Sequence, residues 1–217
     1  MSKPRTLPTL THQAQHLLST GLLEHQKGLT AGEFLTQVTR LEENAPEGSL
    51  LAFSQYLLPA SVLAPFLQSS DGQKKGFVVE DMTDIDLFGP SVDSTALTTS
   101  VYAVTDPQRG DEMRNWSPKE ASDELNSRGR VPLTLTEALY WTIQDPSILE
   151  RGACFMAIGS RLQKPNGPYD SRTPALWISN GTGRDGKDNK DAPKIGWCWW
   201  NNRHAWLGFA SGVSRVI

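Results

Sequence analysis

Cysteine is scarce in this sequence, where Cys154 and Cys198 are the only two among 217 residues. Two thiols this far apart form neither a disulfide framework nor a CxxC metal site, so we expect both to be reduced and buried. Long apolar runs are also missing, and the run 153–158 falls far short of the ~20 residues that a membrane span needs. The N-terminus lacks the apolar segment of a signal peptide. We therefore expect a cytoplasmic protein that does not enter the membrane.

Charge of neither sign dominates the whole chain, but the charges are unevenly distributed. The net charge is −3, with −9 over residues 1–150 and +6 over residues 151–217. This asymmetry is typical either of a surface for a charged partner or of two faces of one body that attract each other, and we favour the second. Most basic residues of the second part fall in predicted loops, where they offer no flat platform for single-stranded nucleic acid. We do not expect a nucleic-acid partner.

Helical periodicity characterises the first 47 residues. Leucines recur at helical spacing over 6–23, and a glycine follows near the end of that stretch. The capping-box pattern at 30–33 begins a second amphipathic stretch, which an Ala-Pro-Glu-Gly segment interrupts after residue 44. We predict an N-terminal helical hairpin over residues 1–47.

The segment 48–150 mixes strand and helix signals. Residues 117–120 supply an N-cap serine, a first-turn proline and a glutamate in the order that begins a helix. Residues 134–137 begin another helix, which should end before Pro146 because the residue before a proline avoids the α region. Short apolar runs predict strands near residues 50–58, 76–79 and 99–105.

From residue 151 onward the pattern changes to short apolar or aromatic runs separated by loops rich in glycine, asparagine, aspartate and proline. This spacing is typical of antiparallel strands. We predict an antiparallel β-meander over residues 151–217, with helices covering one face of the sheet. The whole chain, 1–217, is then a single α+β domain. The runs lie at 153–158, 175–179, 195–200 and 205–210.

Tryptophan is concentrated in this last segment, where five of the seven fall between residues 177 and 206. Strand side chains alternate between faces, so a regular strand over 195–200 would place Trp197 and Trp199 on one face. Cys198 and Trp200 would lie on the other. A sheet with one wet face should not carry tryptophan on both faces. Either other elements cover the second face, or an aromatic groove is exposed there.

Polar residues adjoin these tryptophans in the predicted turn 201–204. Tryptophan stacks on sugars, bases and cations, while asparagine and histidine form directed hydrogen bonds. Two arginines near loop and helix ends could contact an anion, although each could equally stabilise its own turn. The candidate ligand-binding residues are Trp197, Trp199, Asn201, His204, Trp206, Arg109 and Arg130.

Three other motifs are weaker. The sequence 181–186 matches GxGxxG, but no apolar helix follows it to hold a pyrophosphate. His12 and His16 have the i, i+4 spacing of zinc ligands without a third ligand. The acidic residues at 81, 84 and 86 lack the glycine and terminal glutamate of a calcium loop. We predict no cofactor and no metal.

Five segments carry a family resemblance, namely 109–134, 154–161, 174–179, 194–199 and 204–208. Together they resemble an uncharacterised family of actinobacterial proteins that is defined as a domain of unknown function. The likeness covers most of the chain, and the loop 180–194 is longer than is usual there. The resemblance implies a bacterial, cytoplasmic origin. It implies no activity and therefore transfers no catalytic residue.

Nucleophilic or paired-carboxylate signatures do not stand out in the sequence. Cys198 and His204 could form a pair across a turn, but a thiol inside an apolar strand is unreactive. Our leading hypothesis is a non-catalytic cytoplasmic binding or interaction protein, with a small polar ligand or a protein as partner. The alternative is an enzyme of unassigned class that acts on a small polar substrate at the same place. A pocket joining His204 to a carboxylate and an arginine would favour the enzyme.

Overall fold

The structure is a computed structural model, and it describes residues 6–92 and 94–217. These residues form five α-helices and twelve short strands, which confirms the predicted α+β class. The helices are α1 (Leu10–Ser19), α2 (Ala31–Glu42), α3 (Ala60–Leu63), α4 (Pro118–Ser127) and α5 (Leu135–Gln144). The strands are β1 (Leu50–Phe53), β2 (Phe77–Val78), β3 (Phe88–Pro90), β4 (Val101–Val104), β5 (Val131–Pro132), β6 (Cys154–Met156), β7 (Ser160–Leu162), β8 (Arg172–Ile178), β9 (Pro193–Trp199), β10 (Leu207–Phe209), β11 (Ser211–Gly212) and β12 (Arg215–Val216). Among the described helices, none is long and apolar enough to cross a membrane.

The helix starts follow the local sequence signals closely. In α4, the Ser117 hydroxyl accepts from the backbone N–H of Glu120, whose carboxylate accepts from the N–H of Ser117 at 2.9 Å. The same reciprocal capping box begins α2 and α5. Helices α1 and α2 contact each other as the predicted hairpin. Their buried Leu17 and Phe34 belong to the main core, so the hairpin is part of the body of the protein.

The largest sheet has five strands in the order β10-β6-β8-β9-β2. Its middle is antiparallel, as predicted, because β8 pairs antiparallel with both β6 and β9. The two outer pairs of strands, β10–β6 and β9–β2, are parallel, so the sheet is mixed. The prediction of a purely antiparallel meander is corrected at these two pairs. Strand β10 lies at the far edge beside β6, and β2 comes from the central segment of the chain. Sequence periodicity predicts that a strand exists, but not which other strand it pairs with.

Helices cover this sheet on both faces, where we predicted cover on one. On the first face, the ring of Trp141 in α5 lies 6.2 Å from that of Phe155. On the second face, Ala121 and Leu125 of α4 join Phe209 in a separate apolar cluster. Each face of the sheet therefore carries a helix, while Trp199 at the end of β9 stays 44% exposed.

A smaller sheet, β1-β4-β12, joins distant parts of the chain. Its last strand is held by Arg215, whose Nε lies 2.6 Å from Oε1 of Glu137 in α5. Both side chains are buried, at 2% and 0% exposure. The backbone carbonyl of Pro132 accepts a further bond from Arg215 at 3.0 Å. The main core likewise contains residues from all three predicted segments, 1–47, 48–150 and 151–217. The division of the chain at these boundaries stays a prediction.

Candidate functional site

A cavity of ≈ 310 Å³ opens beside strands β6, β8 and β9 of the five-stranded sheet. Most of its walls are aromatic or apolar, and Asn180 supplies a polar group. We call it the aromatic cavity. Its lining residues are Gly152, Ala153, Cys154, Trp177, Ile178, Asn180, Trp197, Cys198 and Trp206.

Trp177 is held in the aromatic cavity by its neighbours on β9. A Cβ atom built on Gly196 would lie 2.6 Å from Cη2 of the Trp177 ring, so only glycine allows the indole this close to the strand. Nζ of Lys194 lies 4.8 Å from the Trp177 ring centroid and 2.5 Å from Oδ1 of Asp185. A cation over an indole adds roughly 0.5–2 kcal/mol to such an arrangement. Trp177 was not among the candidate ligand-binding residues, because it is the pairing of β8 with β9 that brings its ring over Gly196.

The alternation predicted for β9 is confirmed. Trp197 and Trp199 share the first face, with ring centroids 4.5 Å apart, while Cys198 and Trp200 contact the cluster on the second. Trp197 lines the aromatic cavity, whereas Trp199 is 44% exposed and is not among the lining residues.

Trp206 lines the cavity and contacts a further predicted residue, His204. Its ring is 50% exposed, and the His204 ring stacks on it at 4.7 Å with an interplanar angle of 24°. His204 itself is not a lining residue. In the described ranges, 6–92 and 94–217, no carboxylate lies within 4.0 Å of the His204 ring nitrogens. The arrangement is a stacked aromatic pair without an acid–base partner.

The turn 201–204 is held against the N-terminus of α4. The backbone N–H of Lys119 donates to the carbonyl of Trp200 at 3.2 Å, and that of Asn115 donates to the carbonyl of His204 at 3.0 Å. Arg203 forms an ion pair with Glu120. Asn201 is exposed and lies outside the aromatic cavity. The turn thus positions Trp206 through α4.

Glu120 gives this contact a pH dependence. The Ser117 backbone N–H, the Arg203 guanidinium and the Ser117 hydroxyl lower the pKa of Glu120 from 4.5 to about 2. A depressed carboxyl pKa stabilises the fold above the unfolded value and loses that effect as pH falls through the folded value. We expect Glu120→Gln to lower the melting temperature at pH 7 by an amount that is constant down to pH 4.5 and vanishes near pH 2. Thermal unfolding of both proteins across this range checks it, and a difference that persisted at pH 2 would contradict the assignment.

The two arginines predicted as anion contacts have partners within the protein. Nη1 of Arg109 donates to the carbonyl of Ile148 at 2.5 Å, and Nη2 lies 3.4 Å from Oδ1 of Asp111. Arg130 donates to both the carboxylate and the backbone carbonyl of Asp106 at 2.7 Å, and to Ser211 at 2.9 Å. Neither arginine lines the aromatic cavity. Both arginines therefore stabilise turns of the protein, which was the alternative to anion binding for each.

The two thiols line the same cavity but are poor nucleophiles. Burial raises the pKa of Cys154 far above its ordinary value, and the nearby Cys198 adds to the rise. Arg109 opposes it, but burial prevails. Burial also raises the pKa of Cys198. Both groups stay protonated at neutral pH, and a protonated thiol is neither a nucleophile nor a metal ligand.

The remaining motifs make contacts within the protein. One short 3₁₀ turn, Gly183–Asp185, lies inside the GxGxxG segment and a second, Lys187–Asn189, follows it. Asp185 accepts from the Ser179 hydroxyl at 2.7 Å. His16 Nε2 contacts the carbonyl of Ile143, and Asp84 pairs with Arg172 at 2.6 Å. In the part of the chain that the structure describes, no group of three or more histidine, cysteine or acidic residues could hold a metal ion.

Comparison with known proteins gives a family and no activity. The model of a family of unknown function, DUF5701, matches residues 16–217, which is nearly the whole chain. The chain belongs to this family. No curated protein and no solved structure matches it. The aromatic cavity, α4 and the turn 201–204 all lie within the matched residues.

Proposed function

We propose that this DUF5701 protein is a non-catalytic binding protein whose aromatic cavity holds a small ligand with a planar or ring-shaped core and polar edges. The observation that carries the proposal is the cavity itself, ≈ 310 Å³ in volume and lined by Trp177, Trp197 and Trp206. Small-molecule sites typically have this size, mostly apolar walls and a few polar groups that orient the ligand. A partly exposed tryptophan at a cavity mouth is the side chain best suited to stack on a ring.

The polar groups at the rim support a ligand with hydrogen-bonding edges. The side chain of Asn180 lines the cavity and accepts from Nη1 of Arg151 at 3.2 Å. Arg151 also pairs with Asp191 in the loop before β9. Asn180 retains its amide donors, so it could bond to a carbonyl or hydroxyl oxygen of the ligand.

Binding is favoured over catalysis by the state of the reactive groups. The two thiols in the cavity keep their protons because burial raises the pKa of each. The His204 ring stacks on Trp206, and neither Arg109 nor Arg130 reaches the cavity. A pocket joining His204 to a carboxylate and an arginine would have favoured the enzyme hypothesis, and these observations do not bring the three together.

The proposal includes a setting in the bacterial cytoplasm, with the actinobacterial origin that the sequence resemblance implies. Cys154 and Cys198 are both free, which suits a reducing compartment. Expression of the chain in a bacterial cytosol, followed by titration of both thiols, checks this part.

Trp206→Ala tests the site, with Trp199→Ala as its matched control. Both tryptophans are about half exposed, but only Trp206 lines the cavity. The probe set is a panel of sugars, nucleosides and aromatic acids, screened by tryptophan fluorescence and thermal shift. For a compound that binds, we expect Trp206→Ala to weaken affinity roughly tenfold or more, because stacking on one ring contributes ~1–3 kcal/mol. Trp199→Ala should leave affinity within about twofold.

Two outcomes would count against the proposal. Equal losses in the two variants would place the ligand elsewhere on the protein. A flat response of the wild-type protein to the whole panel would favour a protein partner over a small molecule.

A further inference from the structure

Arg161, in β7, is a buried cation. Only 8% of the residue is exposed. Within residues 6–92 and 94–217, no carboxylate lies within 4.0 Å of its guanidinium. Its Nη2 donates to the backbone carbonyl of Asp170 at 2.8 Å, while Nε is fully buried and makes no hydrogen bond. Nη1 also lacks a hydrogen-bond partner in these ranges but keeps access to solvent.

Two aromatic rings hold this guanidinium in place. Its central carbon lies 3.8 Å from the ring centroid of Trp200 and 5.1 Å from that of Tyr169. Stacking on aromatic faces fixes the plane of the guanidinium without using its N–H donors. Trp200 contacts the cluster on the second sheet face, and Tyr169 is partly exposed. The rings therefore orient Arg161 and leave its outer edge free.

The surrounding charges favour an anion. Arg161, Lys164 and Arg172 supply three positive charges, against the carboxylates of Asp170 and Asp84. Asp170 is shared by Arg172 at 3.2 Å and Lys164 at 3.7 Å, and Asp84 pairs with Arg172 at 2.6 Å. Of these three cations, Arg161 is the one without an ion pair among the described residues, and it is also the most buried. An unpaired buried charge is costly, so a native structure that keeps one needs a physical reason for it.

We propose that Arg161 is the anchor of an oxyanion site, in which its Nη1 donates to a phosphate or carboxylate group of a small molecule. The site is separate from the aromatic cavity, whose lining does not include Arg161. A guanidinium oriented by two rings has little rotational freedom to lose when it binds, which favours a charged oxygen ligand over solvent.

The test is the response of the protein to inorganic phosphate and to acetate at constant ionic strength, with chloride as the balancing anion. In wild-type protein, the side-chain Nε–H resonance of Arg161, assigned by its loss in Arg161→Lys, should shift saturably on titration. The melting temperature should rise with the same midpoint. Phosphate also stabilises proteins in general by exclusion from their surface, and that effect does not saturate.

Two variants separate the specific effect from the general one. Arg161→Met keeps an apolar stem against the rings and should lose the saturable response. Arg203→Met removes a cation that is exposed and already paired with Glu120, and it should retain the response. The relative sizes of the phosphate and acetate responses decide which oxyanion class the site prefers.

The proposal is overturned if wild-type protein shows no saturable response to either anion, or if Arg161→Met responds as the wild type does. In either case the two rings and the Asp170 carbonyl hold Arg161 without a ligand. If Arg161→Met fails to fold, the titration of wild-type protein and Arg161→Lys decides alone, because the lysine variant should weaken the midpoint about tenfold. An unchanged midpoint would contradict the proposal.

Discussion

Replacing Arg215 by alanine is expected to lower the free energy of unfolding by about 3–5 kcal/mol. Arg215 and Glu137 form a bidentate ion pair, with N–O distances of 2.6 and 2.8 Å, between the C-terminal strand and α5. Neither side chain is more than 2% exposed. The alanine variant would leave the Glu137 carboxylate buried without its counter-ion, and it would remove a donor from the Pro132 carbonyl. An uncompensated buried charge is the main term in this loss.

Arg128→Ala is the matched control for this prediction. Arg128 also contacts two acidic side chains, Glu124 at 2.7 Å and Glu112 at 3.1 Å, but it lies at the surface. Exposed ion pairs typically contribute 0–1 kcal/mol, so we expect a loss of at most about 1 kcal/mol. Equilibrium unfolding in urea measures both variants against the wild type.

A double replacement, Glu137→Leu with Arg215→Met, distinguishes the cost of the uncompensated Glu137 charge from the other losses in Arg215→Ala. Because apolar pairs of similar volume often replace buried ion pairs without loss, the double variant should be more stable than Arg215→Ala. A loss below about 1 kcal/mol for Arg215→Ala would show that water reaches Glu137 and that the pair does not hold the C-terminal strand.

Gly110→Ala is expected to cost about 3 kcal/mol of unfolding free energy, the second large effect. Gly110 has φ of 72°, in the left-handed region, which costs an ordinary residue ~1–2 kcal/mol. A Cβ atom there would overlap the carbonyl oxygen of Phe209 and lie 2.9 Å from Cε of Met113. Overpacking of this kind adds ~1–3 kcal/mol. The glycine therefore allows the turn to approach β10, next to the aromatic cavity.

Gly129→Ala measures the backbone strain alone, so its comparison with Gly110→Ala isolates the overpacking contribution. Gly129 has φ of 64°, and a Cβ atom there would have no heavy atom within 4 Å beyond its own neighbours. We expect a loss of only about 1 kcal/mol, from backbone strain alone. Unfolding curves of the two variants should therefore differ by about 2 kcal/mol. Equal losses would mean that the turn at Gly110 relaxes away from Phe209.

Sequence signals were most reliable where a few neighbouring residues form the structure. The starts of α2, α4 and α5 were predicted because each capping box is made by side chains three positions apart. The shared face of Trp197 and Trp199 in β9 was predicted because strand geometry alone requires it. The short strands β3, β5, β7, β11 and β12 were missed, since two or three residues carry no usable periodicity.

The candidate site shows the same limit. Trp197 and Trp206 were predicted and line the aromatic cavity, but Trp199, Asn201 and His204 do not. Arg109 and Arg130 were each open to two interpretations, because a guanidinium is suited equally to a ligand and to a neighbouring carbonyl. Their actual partners, Ile148 and Ser211, are distant in sequence.

The sequence by itself therefore determined the α+β class, the capped helices and the shared face of Trp197 and Trp199, since all of these depend on local geometry. Tertiary structure alone decided that β10 and β2 pair in parallel at the two edges of the sheet, that α4 packs against its second face, and that Trp177 lies over Gly196 in the aromatic cavity. These features depend on which distant segments come together. Such pairings are selected by the packing of the whole chain, which no short stretch of sequence encodes.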